Sequence, residues 1–370
     1  MMAINKLILT AGPSITSKEI DYVTDAVTHG WNEKWNEYIV RFETSFSEFI
    51  GVKHSMTTSS CTGALHLGLM ACGIGNGDEV IVPEISWVAS ASSVVYTGAK
   101  PVFCDIEEGS WCIDVKAAES MITNRTKAIM PVHLYGHPAN MPDIMKLAKK
   151  YNLYVIEDAA PSIGAEIAGK RTGSFGHVSG FSFQGAKILV TGEGGMLVSN
   201  DTDIFNKAQS LSDHGRDPDS PLSAVSIGYK YKMSNIQAAL GLAQLERANE
   251  LVNRKRGINS RYRDNLKDCP SVRVSEELPG CKSIHWMTSL ELLGNSTSRR
   301  TEIMGKLKER LVDTRPVFSP MSSLPMFSRI SDNPVAYRIG ENSINLPSGH
   351  NLTDEQIDYV SETIIYLCGQ

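Results

Sequence analysis

Three groups of residues, met in order along the chain, have types that together could do chemistry. Ser59-Ser60-Cys61-Thr62-Gly63 leads into the apolar run Ala64-Leu-His-Leu-Gly-Leu69. This is the composition of a helix start, where unpaired backbone N–H groups bind phosphate. Asp158 closes the apolar run Leu153-Tyr-Val-Ile-Glu-Asp158. Lys187 follows Phe181-Ser182-Phe183 and precedes Thr191-Gly-Glu193-Gly-Gly195. Each has a plain reading alone: a helix cap, a turn carboxylate, a solvated lysine. As an ordered set they supply what pyridoxal phosphate (PLP) requires. Its phosphate takes N–H groups and hydroxyls, its pyridine nitrogen takes a carboxylate, and its aldehyde takes a lysine amine.

The segments around these residues alternate. Residues 17–29 have a serine start and helical spacing, and 43–50 repeats the pattern. Strands are predicted at 79–83, 100–105, 127–133, 153–158, 179–183 and 195–199, with helices at 90–96 and 141–151 between them. Such alternation predicts an α/β layered sheet with ligands at the C-terminal ends of its strands. One long helical pattern runs from about Asn235 to about Asn265, as a bridge to a smaller C-terminal α+β domain. The division expected is a large domain over 1–245 and a small one over 246–370.

The 370 residues are 42% hydrophobic and 21% charged, an ordinary globular composition with enough chain for a sizeable core. A net charge of −5 and the lack of a basic cluster with interleaved aromatics argue against a nucleic-acid partner. No run of about 18 apolar residues suggests a membrane span. Seven scattered cysteines without Cys-x-x-Cys read as reduced thiols in a cytoplasm, with no metal site. Cys61 is expected to be an inert small residue. No Gly-x-Gly-x-x-Gly follows an early strand, which excludes a typical dinucleotide site.

Three blocks carry a resemblance: Ile156-Glu-Asp-Ala-Ala160, Gly173-Ser-Phe-Gly-His-Val-Ser-Gly-Phe-Ser-Phe-Gln-Gly-Ala-Lys187, and Thr191-Gly-Glu-Gly-Gly-Met-Leu-Val-Ser-Asn200. With Gly77-Asp-Glu-Val-Ile-Val-Pro83, Val132-His-Leu-Tyr-Gly-His-Pro138 and Gln237-Ala-Ala-Leu-Gly-Leu-Ala-Gln-Leu245, the chain resembles the DegT/StrS sugar aminotransferases over nearly its whole length. The resemblance implies a type I (aspartate-aminotransferase-like) PLP-dependent transferase fold with a mixed, mostly parallel seven-stranded sheet. It implies Lys187 as the Schiff-base lysine, Asp158 on the pyridine nitrogen, and Ser182 with the N–H groups of Cys61 and Thr62 on the phosphate. Trp87 would stack on the ring. Lys230 would stand where the family has an Asn that reaches the phosphate of the other subunit. Arg315, in Asp313-Thr-Arg-Pro-Val-Phe318, would lie near the substrate, with Trp35 and Glu193 also on the substrate side. The implied partners are L-glutamate and a nucleotide-linked keto-sugar, the nearest pattern being a GDP-linked 4-keto-6-deoxymannose aminated at C4. A homodimer with shared sites and a setting in polysaccharide or O-antigen assembly follow the same way.

The chain departs from the family pattern at several positions. Ser60-Cys61 replaces Asn-Gly, Pro161 stands three residues after Asp158, and Lys230 and Lys232 replace the Asn and Arg of Gly-x-Asn-x-Arg. Ser322 stands where a His is common, and Asn32-Glu-Lys-Trp35-Asn36 replaces a small turn. Other readings stay open: amination of another nucleotide sugar or of a small phosphorylated ketone, and a non-catalytic relative that keeps the cofactor. A subgroup that dehydrates at C3 carries His at the lysine position, and Lys187 argues against it.

Overall fold

A computed structural model describes residues 5–217, 219–220, 222–294, 297–329 and 331–369. The strands in chain order are β1 His54–Thr58, β2 Glu79–Pro83, β3 Lys100–Cys104, β4 Thr126–Ile129, β5 Tyr154–Asp158, β6 Glu166–Ile167, β7 Lys170–Arg171, β8 Val178–Ser182, β9 Gly195–Ser199, β10 Val272–Val274, β11 Cys281–Lys282, β12 Ser289–Leu292, β13 Arg315–Pro316 and β14 Ser343–Asn345. Seven of them form the main sheet, in the order β1-β9-β8-β5-β4-β2-β3. β9 pairs antiparallel with β8 and β1, whereas β2–β3, β2–β4, β4–β5 and β5–β8 are parallel. The central strands β2, β5, β8 and β9 are buried almost throughout, which is why they read as continuous apolar runs.

Helices cover both faces. They are α1 Ser17–His29, α2 Glu37–Ile50, α3 Cys61–Ala71, α4 Ala89–Tyr96, α5 Val115–Ser120, α6 Met141–Tyr151, α7 Thr202–Ser212, α8 Asn235–Leu245, α9 Ala248–Leu266, α10 Thr297–Glu309, α11 Pro334–Asn342 and α12 Asp354–Cys368. One core joins α2, α6 and α8 through Phe42, Phe46, Ile144 and Leu242 to Phe181 and Phe183 of the sheet region. A second core on the other face centres on α3 and α4 through Leu65, Leu67, Leu69 and Val94. A third core, with Ile258, Tyr262, Leu290, Ile344 and Ile364, belongs to the smaller sheet β10-β12-β14-β13. The fold is therefore the expected α/β type, with a mostly parallel seven-stranded sheet and a smaller strand-rich C-terminal part.

Two local expectations change. The cap of α1 is Thr16, not Ser17: its N–H and hydroxyl both donate to Glu19, 2.7 and 2.6 Å away, in a capping box. The long pattern from Asn235 is two helices, broken at Glu246–Arg247. Arg247 leaves helical geometry there (φ −105°, ψ 6°), and its side chain is held by Glu19 (2.7 Å), Ser14 (2.8 Å) and Glu250 (2.7 Å). Ile8 bridges Val312 and joins the third core.

Candidate active site

The C-terminal edge of the main sheet gathers the three sequence groups. β1 ends at Thr58 and β8 at Ser182, and both lie opposite Gly195, the first residue of β9. α3 begins just above. Ser60 is its cap, and its hydroxyl accepts from Gly63 N–H at 3.1 Å. The first-turn N–H groups of Cys61 and Thr62 have no acceptor within the helix and face outward along its axis. Gly195 makes this approach possible. A Cβ there would sit 2.5 Å from the Cys61 nitrogen, too close for any side chain. Cys61 itself is helical, so the family's glycine is not needed at that position. Its sulfur turns toward β8, 3.2 Å from where a Cβ on Gly180 would stand. Burial pushes the thiol well up, and Asp158 adds to this, so it stays protonated.

Asp158 is buried at the end of β5. Its Oδ2 accepts from Ser90 Oγ at 2.7 Å and its Oδ1 from Ala160 N–H at 3.1 Å. Ser90 has one proton and gives it to the carboxylate, so Ser86, 2.8 Å away, donates to Ser90. Two donors leave the carboxylate with unused acceptor capacity. Its sequence neighbour Glu157 points to the opposite face of the sheet and is saturated. It accepts from the N–H groups of Gly173, Phe175 and Gly176 (2.7, 2.8 and 2.6 Å), from Ser179 Oγ (3.1 Å) and from His133 Nε2 (3.0 Å). Ala139 N–H donates to His133 Nδ1, which assigns the ring proton to Nε2. Burial opposes ionisation of Glu157, yet His133 and these donors hold it below the usual carboxylate range.

Lys187 sits in the loop between β8 and β9. That loop is closed by Gly185 N–H to Gly192 O (2.9 Å), Thr191 N–H to Phe183 O (2.7 Å) and Lys187 N–H to Gln184 O (2.8 Å). The side chain is half-buried. Desolvation brings its pKa down to about 8, against the opposing pull of the Asp158 carboxylate. Its ammonium lies 3.8 Å from the centroid of Trp286. Ser182 is buried beside the α3 start. Trp87 precedes α4 by two residues, is 63% exposed, and tilts against Phe318 at 5.8 Å between centroids. Phe318 in turn stacks on Tyr135 at 5.2 Å.

The donor set fits PLP. A pair of outward amides and a hydroxyl would take the phosphate, a buried carboxylate with spare acceptor capacity would take the pyridine nitrogen, and a lysine of lowered pKa would take the aldehyde. The structure brings together Lys187, Asp158, Ser182, Cys61 and Thr62, with Trp87 at the rim. Other expected residues lie elsewhere within one chain. Lys230 donates to Asp213 at 2.9 Å. Trp35 lines a separate cavity of about 670 Å³ with Glu43, Asp213 and Lys232. The Glu193 side chain is exposed, and its carbonyl accepts from Thr191 Oγ1 (2.6 Å) and Gln237 Nε2 (2.7 Å). Arg315 is exposed on β13, with Nη2 3.4 Å from Asp313 Oδ2. Sequence reasoning missed Ser90 and Trp286. Ser90 follows Trp87 by three residues, a spacing that places both on one side of a helix start. Trp286 has no local signal, since only the tertiary fold brings it to Lys187.

A family model described as "DegT/DnrJ/EryC1/StrS aminotransferase family" matches residues 13–365. The chain is 42% identical over 353 residues to a GDP-perosamine synthase of Escherichia coli O157:H7, covering 95% of this chain and 96% of that protein. It is 40% identical over 358 residues to a GDP-perosamine synthase of Caulobacter vibrioides, with 95% and 96% covered. Among solved structures, the PLP form of the putative sugar aminotransferase Spr1654 from Streptococcus pneumoniae superposes with a TM-score of 0.91 at 27% identity, covering 98% of this chain and 99% of that one.

Proposed function

The chain belongs to the DegT/DnrJ/EryC1/StrS aminotransferase family and is a PLP-dependent aminotransferase, and we propose that it moves the amino group of L-glutamate onto C4 of GDP-4-keto-6-deoxymannose, giving GDP-perosamine. The observation that carries the substrate is the identity of about 40% to two proteins named for that product, over 95% of the chain. Bound PLP supplies an aldehyde carbon that takes up the amino group and a ring that accepts electrons from the substrate carbon. The chain's own residues do the rest. The Cys61 and Thr62 N–H groups and the Ser182 hydroxyl would bind the phosphate. Asp158, fixed by Ser90, would keep a proton on the pyridine nitrogen. Trp87 covers one edge of the cleft. Lys187 Nζ would hold the aldehyde, with loss of water, and when free would carry the proton to and from the amino-bearing carbon. A pKa of about 8 leaves a useful fraction of free amine near neutral pH.

Arg315, with only a 3.4 Å contact to Asp313, is free to pair with the diphosphate, a match for its planar fork. Glu193 and Trp35 are assigned to the substrate side, and Lys230 to a phosphate in a second copy. The working form is a cytoplasmic homodimer with shared sites. Leu222 and Ile227 support it, being essentially fully exposed on the segment that leads to Lys230. The cysteines among the described residues are all free, in keeping with a reducing compartment. None of the described helices is long and apolar enough to cross a membrane.

The test is a pair of half-reactions followed by cofactor absorbance. L-Glutamate should discharge the PLP band, and GDP-4-keto-6-deoxymannose should restore it. Restoration only by a UDP- or dTDP-linked ketone would move the substrate assignment. No discharge by glutamate would overturn the donor.

A further inference from the structure

Trp286 makes the closest ring contact of Lys187, and no chemistry described so far uses it. The Lys187 ammonium lies over the indole face, 3.8 Å from the centroid. The indole Nε1–H donates to the Ala186 carbonyl at 2.7 Å, so the ring grips both the backbone and the side chain of one short stretch. The ring also lies nearly parallel (23°) to Tyr135, with centroids 6.0 Å apart. The segment that carries it is clamped to the large part of the molecule. Ile284 N–H donates to Gly136 O at 3.0 Å, and Ser283 Oγ to the same carbonyl at 3.1 Å. Gly136 (φ +95°) is required for this approach, because a Cβ there would stand 2.5 Å from Ile284 Cγ1 and 3.0 Å from the Trp286 nitrogen. The ring is buried.

The amine of Lys187 must alternate between a bonded and a free state during turnover. A free lysine has a flexible four-carbon stem, and each rotamer that leaves the strand ends slows its return. The titratable groups facing it are Asp158 from β5 and Cys61 from α3. Cys61 is neutral, and Asp158 is the group that serves the ring nitrogen. That leaves the π-face as the partner for the free cation. We infer that Trp286 is a positioning residue for Lys187, whose indole face holds the free ammonium at the strand ends whenever the amine is not bonded to the cofactor. The inference rests on the reading of Lys187 as the cofactor lysine.

The test uses cofactor-free full-length protein in two measurements. With 5-fluorotryptophan at the five Trp positions, the ¹⁹F signal that disappears in Trp286→Phe should titrate with Lys187, near pH 8. In Lys187→Met that titration should vanish. The second measurement is the rate of PLP capture against pH. Trp286→Phe keeps a π-face and should stay within about threefold of wild type. Trp286→Leu removes the π-face that favours the ammonium, and should move the midpoint of the capture profile down by about half a pH unit. A Trp286 signal that ignores Lys187→Met, or a Leu variant whose capture profile keeps the wild-type midpoint, overturns the inference. If Trp286→Leu does not fold, the fluorine titration decides alone. Capture that persists in Lys187→Met overturns instead the assignment of Lys187 on which the inference stands.

Discussion

Lys187 and Lys255 are both lysines whose pKa burial lowers, to about 8 and about 7. They are otherwise opposites. Lys187 is half-buried in a loop at the strand ends and faces Asp158, Cys61 and the Trp286 ring. Lys255 is 2% exposed in the middle of α9, and its ammonium donates to the Ser348 carbonyl. Neighbouring side chains fasten the same strap: Tyr262 donates to Pro347 O at 3.0 Å, and Arg254 to Leu352 O. A lowered pKa is thus not a mark of catalysis. What distinguishes Lys187 is its partial exposure at the strand ends, beside a carboxylate with spare acceptor capacity and the start of α3, where a cofactor is proposed to bind.

Substitution should separate the two most sharply. Lys187→Ala should lose about 10⁴-fold in turnover with little change in Tm, because amine attack and proton transfer both vanish. Lys255→Met should keep the cofactor and most of the rate while changing stability. Asp158→Asn comes next, with a loss of about 100-fold and partial retention of PLP, since the ring becomes a poorer electron sink. Ser90→Ala removes one donor from that carboxylate and should cost about tenfold in rate. The smallest effect is Cys61→Ala, within about twofold, because only its backbone N–H serves the phosphate.

The pH dependence sharpens the same contrast. Lys255 has a folded pKa of about 7 against an ordinary value of 10.5. Between those values the unfolded chain binds the extra proton, so wild-type stability should rise with pH across that window. Denaturant melts of Lys255→Met should show a smaller rise. An unchanged slope would mean that Lys255 is solvated in the folded protein.

The chemistry was more legible in the sequence than its surroundings. Asp158 and Lys187 stand out because a strand end and a glycine-rich loop are local features with local signals. β1 was not legible: His54-Ser-Met-Thr-Thr58 is polar, and only its pairing with β9 makes it a strand. The break at Glu246–Arg247 was hidden for a similar reason. Its cause is Glu19, more than 200 residues earlier in the chain. Glu157 and Asp158 are adjacent letters on opposite faces of the sheet, and only the alternation of a strand separates a saturated structural carboxylate from one available to a ligand. Lys230 and Trp35 show the limit from the other side, since the partners proposed for them belong to a second copy or to a substrate.

The central claim is that Lys187 is the amine that holds the cofactor. The direct measurement is borohydride reduction of PLP-loaded protein, followed by proteolysis and mass spectrometry of the modified peptide. The account predicts a single phosphopyridoxyl adduct on Lys187, absent when the protein is first treated with L-glutamate. An adduct on Lys255 or another lysine, with Lys187 unmodified, would contradict it.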